Sequence, residues 1–242
     1  QAIYRDIHSA AQAVSRIMAQ PVTPCALEVM DGAALTMVRE YSDLGLPPDA
    51  GALLMIEIDG PLAGIEASAA RVSAAAQGSG CVRVDMADTA EAVTRLWRTR
   101  KALSPALRNV APKKINEDVV VPVSRIPDLI DGLEQLSGEF GVTIVNFGHA
   151  GNGNIHVNLL VDPDDPKQMA AADPCLDAVF DLVLSLEGTL SGEHGIGWVK
   201  RMFVDRELDQ TSLQLMAAIK HQFDPDNILN PGVGLPDPEP QT

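Results

Sequence analysis

Only three cysteines occur in the sequence, Cys25, Cys81 and Cys175, and no two of them form a CxxC pair. Their odd number and wide spacing exclude a disulfide framework and a cysteine zinc site. Their apolar surroundings predict buried, reduced thiols in an intracellular protein. No apolar run approaches the roughly 20 residues of a spanning helix, and the basic-then-apolar plan of a signal peptide is missing. Basic residues are outnumbered, 18 against 33 acids, a formal net charge of −15. A surface of that sign repels nucleic acid and anionic lipid. No repeat of fixed period is visible. The chain opens at Gln1 directly into a helical pattern, so a fragment with sequence missing upstream is expected.

What is present suits a globular fold: 242 residues, 46% hydrophobic and 21% charged, enough for a sizeable core in one large domain or two modest ones. Ile3, Ile7, Ala10, Ala11, Val14, Ile17 and Met18 make one helical stripe over 3–19. Further helices are expected near 33–42, 62–77, 89–103, 126–140, 167–187, 199–207 and 211–222, and strands near 26–30, 52–59, 81–84, 118–123, 142–146 and 155–161. The short link between the last two strands argues against a wholly parallel sheet. The expectation is an α+β fold: a ferredoxin-like antiparallel sheet over 1–187 with helices on one face, a carboxy-terminal helical segment over 188–235, and a disordered, proline-rich tail over 236–242.

Three of the five histidines fall in two glycine-bound motifs, Asn146 to Asn158 and Ser191 to Gly195. Alternation on the strand after the first motif puts Ile155, Val157, Leu159 and Val161 on one face and Asn154, His156 and Asn158 on the other. Polar side chains facing alike on an apolar strand are costly unless something occupies them. Gly151 and Gly153 permit a turn that folds His149 back beside His156. With Glu193, the two imidazoles suit zinc, manganese or another borderline divalent cation. The plain alternative is a pair of hydrogen-bonded turn histidines. His194, with histidine's pKa near 6.5, serves either as general base or as a structural hydrogen-bonding group.

Residues 95–116 reverse the charge of the chain: Arg95, Arg98, Arg100, Lys101, Arg108, Lys113 and Lys114 occur there without one acid. This is either a solvated helix face and loop or an anion pocket in which one arginine grips a carboxylate bidentately. Arg98 and Arg100, two apart on a helix, face different ways, so at most one lines such a pocket. The glycines of 148–153 are no dinucleotide fingerprint, because a strand follows them where a helix should start.

Asn146-Phe147-Gly148-His149-Ala150-Gly151-Asn152-Gly153-Asn154-Ile155-His156, Ser191-Gly192-Glu193-His194-Gly195-Ile196-Gly197 and Asn230-Pro231-Gly232 resemble the carboxy-terminal domain of FAD-linked oxidases of the vanillyl-alcohol-oxidase type. That group includes D-lactate dehydrogenases, D-2-hydroxyglutarate dehydrogenase and the large subunit of glycolate oxidase. Ala26 to Asp31 and Lys114 to Val119 carry the same resemblance, which covers nearly the whole chain. It implies a substrate, or cap, domain whose FAD-binding half precedes it and is not in this sequence. It matches His149, His156 and Glu193 to metal ligands, His194 to a proton-abstracting base, and Asn158, Arg98 and Lys114 to substrate contacts. Asn230 would approach the flavin. Ala102 stands where some members place a substrate threonine, which speaks against 2-hydroxyglutarate as the substrate.

The activity so implied is dehydrogenation of a small D-2-hydroxy acid, such as D-lactate or glycolate, by hydride transfer to FAD. The acceptor would be a quinone, a cytochrome or an electron-transfer flavoprotein. No nucleic acid partner, a cytoplasmic location that could be peripheral to the inner membrane, and a homodimer as one option complete the expectation. Two other readings stand beside it: a metal-dependent hydrolase built on the same histidines, and a non-catalytic ferredoxin-like binding module.

Overall fold

A computed structural model describes residues 1–41, 45–110 and 113–235, with the side chains of 104 and 108–110 excepted. Arg108 of the basic run and the 236–242 tail therefore lie outside what is described. Seven strands, β1 (Ala2–Tyr4), β2 (Ala26–Met30), β3 (Ala52–Glu57), β4 (Cys81–Val84), β5 (Lys113–Val120), β6 (Thr143–His149) and β7 (Asn154–Val161), form one sheet in the order β4-β1-β3-β2-β6-β7-β5. Every neighbouring pair is antiparallel. The helices are α1 (Ile7–Ala19), α2 (Gly32–Tyr41), α3 (Leu62–Ala76), α4 (Ala90–Val110), α5 (Ile126–Phe140), α6 (Pro166–Ser185), α7 (Val204–Glu207) and α8 (Gln210–Phe223). The α+β, ferredoxin-like expectation holds.

The strand order resolves into two ferredoxin-like halves. β4-β1-β3-β2 is the complete four-strand arrangement, with α1 and α3 as its crossovers and α2 inserted between β2 and β3. In the second half β5, β6 and β7 repeat the pattern for three strands. Where a fourth would pair with β5, the described residues form only a single bridge, between Val120 and Thr189. The halves meet edge to edge at β2 and β6, through Glu28–His149, Val29–Gly148 and Met30–Phe147.

Strand alternation divides the core between the two sheet faces. Ala2, Tyr4, Val29, Leu54, Val119, Ile155, Val157 and Leu159 pack under α1, α3, α5 and α6. This is the expected helical layer. A smaller core lies on the other face, where Ile3, Met30, Leu53, Phe147 and Leu160 meet Leu35, Val38, Leu103 and Leu107 of α2 and α4. Those two helices cover only part of that face, and the histidines lie on the remainder.

Local differences from the expected elements have clear causes. The stripe beginning at Ile3 is broken by Asp6, which is extended (φ −153°) and caps α1 by accepting from Ser9 N at 2.7 Å. Ala2 to Tyr4 are therefore a strand. α4 continues through Pro105 to Val110 instead of stopping at 103. β5 starts at Lys113, earlier than expected, because its first half is polar and hydropathy does not register it. The three thiols also differ from expectation: Cys175 is buried, Cys81 half-buried and Cys25 exposed.

Candidate functional site

The turn between β6 and β7 depends on Gly153. Its φ is +79°, and a Cβ there would lie 1.9 Å from the Val121 carbonyl oxygen. The register sets Phe147 opposite His156 and His149 opposite Asn154. His149, His156 and Asn158 therefore share the sheet face opposite the main helical layer. The His149 and His156 rings meet edge-on, with centroids 5.3 Å apart.

Glu193 reaches these rings from an irregular segment laid along the edge of β5. Gly192 N donates to Asp118 O at 3.2 Å, and a Cβ on Gly192 would come within 2.5 Å of Asn154 Nδ2. A larger residue would have to displace the Asn154 and Val120 side chains. Glu193 Oε1 then lies 3.7 Å from His149 Nε2 and 3.4 Å from His156 Nε2. One ligand atom from each of His149, His156 and Glu193 falls within 4.8 Å of the others. The adjacent His194 stacks on His156 at 5.5 Å between centroids, with its Nδ1 3.5 Å from Asp118 Oδ1.

Glu28, the strand partner of His149, is the link to α4. Its Oε1 is hydrogen-bonded to His149 Nδ1, and its Oε2 accepts from Arg100 Nε at 3.1 Å. The Arg100 guanidinium lies 4.7 Å from the Phe147 ring centroid. Below His194, the fully buried Asp118 accepts from the backbone N–H groups of Glu193 and His194, from Ser191 Oγ and from Lys200 Nζ. Burial alone would raise the Asp118 pKa, but the Lys200 ammonium and the two backbone donors hold it below the usual carboxylate range. Burial, then the charge of His149, lower the pKa of His156 against the opposing pull of Glu193. A lowered value keeps that imidazole neutral near pH 7, the form with a lone pair to offer.

The donor set fits a divalent cation: two imidazole nitrogens and a carboxylate oxygen suit zinc or manganese. Glu28 on the far nitrogen of His149 is the kind of partner that orients a histidine ligand. His156 lacks such a partner. Its Nδ1 is buried with no hydrogen bond among the described residues, and packing against Phe147 and His194 orients the ring.

The other expected residues are placed less uniformly. Arg98 is exposed on α4, and Arg100 meets Glu28 and the Phe147 ring beside the histidines. Lys114 is exposed on β5, on the same sheet face as Asn116 and Asp118. Asn158 is fully buried; its Oδ1 accepts from Asn116 Nδ2 at 2.8 Å, and its Nδ2 donates to Val145 O and His156 O at 3.0 Å each. In this arrangement it braces the strands. Asn230 lies in the exposed loop after α8, at φ +48°. Sequence reasoning passed over Glu28, Asp118 and Lys200. An acid inside the apolar strand Ala26–Met30 was a usable signal for the first.

Comparison with known proteins identifies the family of the chain. The model of "FAD linked oxidases, C-terminal domain" matches residues 2–233. The chain is 35% identical over 231 residues to glycolate oxidase subunit GlcD of Bacillus subtilis (strain 168), covering 96% of this chain and 49% of that protein. It is 28% identical over 240 residues to a D-lactate dehydrogenase of Anaerostipes hadrus, covering 95% and 50%. The chain thus spans about half the length of the curated relatives it matches. Among solved structures, p-cresol methylhydroxylase with substrate bound shares the fold at a TM-score of 0.68 and 16% identity, over 97% of this chain and 52% of that one. With residues 2–233 matched, the chain belongs to the FAD-linked oxidase family, as that family's C-terminal domain.

Proposed function

We propose that this chain is the substrate-binding portion of a flavin-dependent dehydrogenase acting on a small D-2-hydroxy acid such as glycolate or D-lactate. The carrying observation is the convergence of His149, His156, Glu193 and His194 on one sheet face, with the Arg100 guanidinium tied to it through Glu28. GlcD and D-lactate dehydrogenase relatives support the substrate class.

His149, His156 and Glu193 would hold a divalent ion, which as a Lewis acid would polarise the substrate hydroxyl. FAD, carried by the other part of the protein, supplies the two-electron acceptor. The remaining work falls to this chain's own side chains. Arg100, rather than Arg98, offers a planar fork for the substrate carboxylate and exchanges it against Glu28. His194 would take the hydroxyl proton on Nε2, since the nearer carboxylate, Asp118 at 3.5 Å, favours the proton on Nδ1 over Glu193 at 3.9 Å from Nε2. Lys114, on the same face, adds positive charge for the substrate anion.

Exposed Trp198, Met202, Phe223 and Ile228 support a role for residues 188–235 in packing toward the flavin-carrying part, with Asn230 near the cofactor. In this reading the enzyme is cytoplasmic or peripheral to the inner membrane, and a quinone, cytochrome or flavoprotein reoxidises it. The test is dye reduction by glycolate, D-lactate and D-2-hydroxyglutarate in the flavin-loaded protein. Activity is expected with a short 2-hydroxy acid and a loss of at least about 100-fold in His194→Ala. Undiminished turnover in that variant rejects the assignment.

A further inference from the structure

We propose that Asp118 and Lys200 are positioning residues that set Glu193 and His194 at the mouth of the histidine pair. The segment bearing Glu193 and His194 has no regular structure of its own, and the Glu193 and His194 side chains are 49% and 43% exposed. Something else must fix it. Asp118 is the direct strand partner of His156, so the residue that holds the segment and one of the two histidines stand on the same rung of the sheet.

Each end of the segment is tied to that rung. Asp118 Oδ2 accepts from Glu193 N and, at 2.8 Å, from His194 N. Asp118 Oδ1 accepts from Ser191 Oγ at 3.2 Å, and Asp118 O from Gly192 N at 3.2 Å. Lys200 closes the arrangement from behind: its Nζ donates to Asp118 Oδ1 and, at 2.8 Å, to Leu190 O. On its other side Lys200 meets Glu117 Oε2 at 3.3 Å.

Both charges are out of water, Asp118 at 0% and Lys200 at 3% exposure. Buried ion pairs are poor sources of stability compared with apolar residues of the same volume. This one is explained by what it holds. A single carboxylate gathers four donors of the Ser191–Lys200 stretch, and two of those are the backbone amides of the residues with the proposed chemical roles.

The inference deepens the proposed metal site and rests on that reading in one arm of its test only. Asp118→Asn, Lys200→Met and the double variant, which removes one charge of each sign, are compared with Glu117→Gln, whose parent side chain pairs with Lys200 at 3.3 Å without taking a backbone amide of Glu193 or His194, both of which donate to Asp118. The first arm is amide hydrogen exchange in the whole chain. Exchange at Glu193 and His194 should rise at least about tenfold, while Val157 and Leu159 keep their protection. The second arm is affinity for Zn²⁺ or Mn²⁺, which should weaken by roughly 10- to 100-fold, as for other residues that orient metal ligands. Lys200→Arg should recover most of both losses, and Glu117→Gln should show neither.

Unchanged exchange at both amides in the folded variants overturns the proposal. So does a loss of protection spread evenly through the core, which marks a purely structural ion pair, or metal affinity equal to that of a metal-binding parent. If the parent takes up neither ion, the metal reading fails by itself and the exchange arm still decides the role of Asp118 and Lys200.

Discussion

Glu28 and His149 are registered partners across the strand pair that joins the two halves of the sheet, and their side chains are hydrogen-bonded through His149 Nδ1. The bond leaves Nε2 as the nitrogen turned toward Glu193. Glu28→Gln keeps the shape but offers an amide that can donate to Nδ1, which favours the wrong tautomer. Zn²⁺ affinity should fall by about 10-fold or more in that variant, measured by competition with a chromophoric chelator. An unaltered affinity would show that Glu28 does not orient the ring.

The ligand set itself is open to a direct count. The parent chain, purified without chelators, should carry one divalent ion, and His149→Ala and His156→Ala should each lose it. Elemental analysis gives the answer, and a metal-free parent would count against the site.

Arg100 and Arg98 separate the anion-binding role from a general basic helix. In the flavin-loaded protein Arg100→Lys should raise KM for the 2-hydroxy acid roughly 10- to 100-fold, since a bidentate fork becomes a point charge. Arg98→Lys should leave KM near the parent value. Steady-state kinetics on both variants distinguish the two, and the reverse ranking would restore Arg98.

Asp31 gives a signed pH effect away from the site. Burial raises its pKa from 3.8 to about 6, against the hydrogen bonds it accepts from Ala34 N and from the backbone and side chain of Asn146. The folded state therefore holds this proton more tightly than the unfolded chain. The stability this contributes is complete below about pH 4 and is lost as pH rises through about 6. Denaturant titrations between pH 4 and 7 should show that decline as one component of the profile, and Asp31→Asn should remove it. A parent and variant with parallel profiles would refute the assignment.

Much of this site was legible in sequence because its histidines sit in short glycine-bound motifs, where alternation and turn chemistry act locally. His149 and His156 are seven residues apart, and period two is enough to put Asn154, His156 and Asn158 on one face. The partners that arrive from elsewhere were not legible. Glu28 meets His149 across 121 positions and Asp118 meets His194 across 76, distances over which no periodicity carries information. Which of Arg98 and Arg100 meets Glu28 depends on the rotation of α4, which is set by Leu96, Leu103 and Leu107 against the sheet. β5 begins ahead of the expected strand because its early residues are polar. Its buried acids, Glu117 and Asp118, are compensated by Lys200 and, for Asp118, by the backbone of Glu193 and His194, all far along the chain.

The seam between the two halves gives the site a bearing on how the chain unfolds. His149 is strand-paired with Glu28 in the first half and with Asn154 in the second. The three ligand candidates, His149, His156 and Glu193, all come from the second half and the segment that follows it, and the first half contributes Glu28, which orients one of them. If Glu28 tightens a ligand's hold about tenfold, a bound ligand favours the joined halves over the parted ones by that same factor, about 1.4 kcal/mol. Occupancy would couple two similar folding units by that margin, and a chain with its first half still loose would bind more weakly.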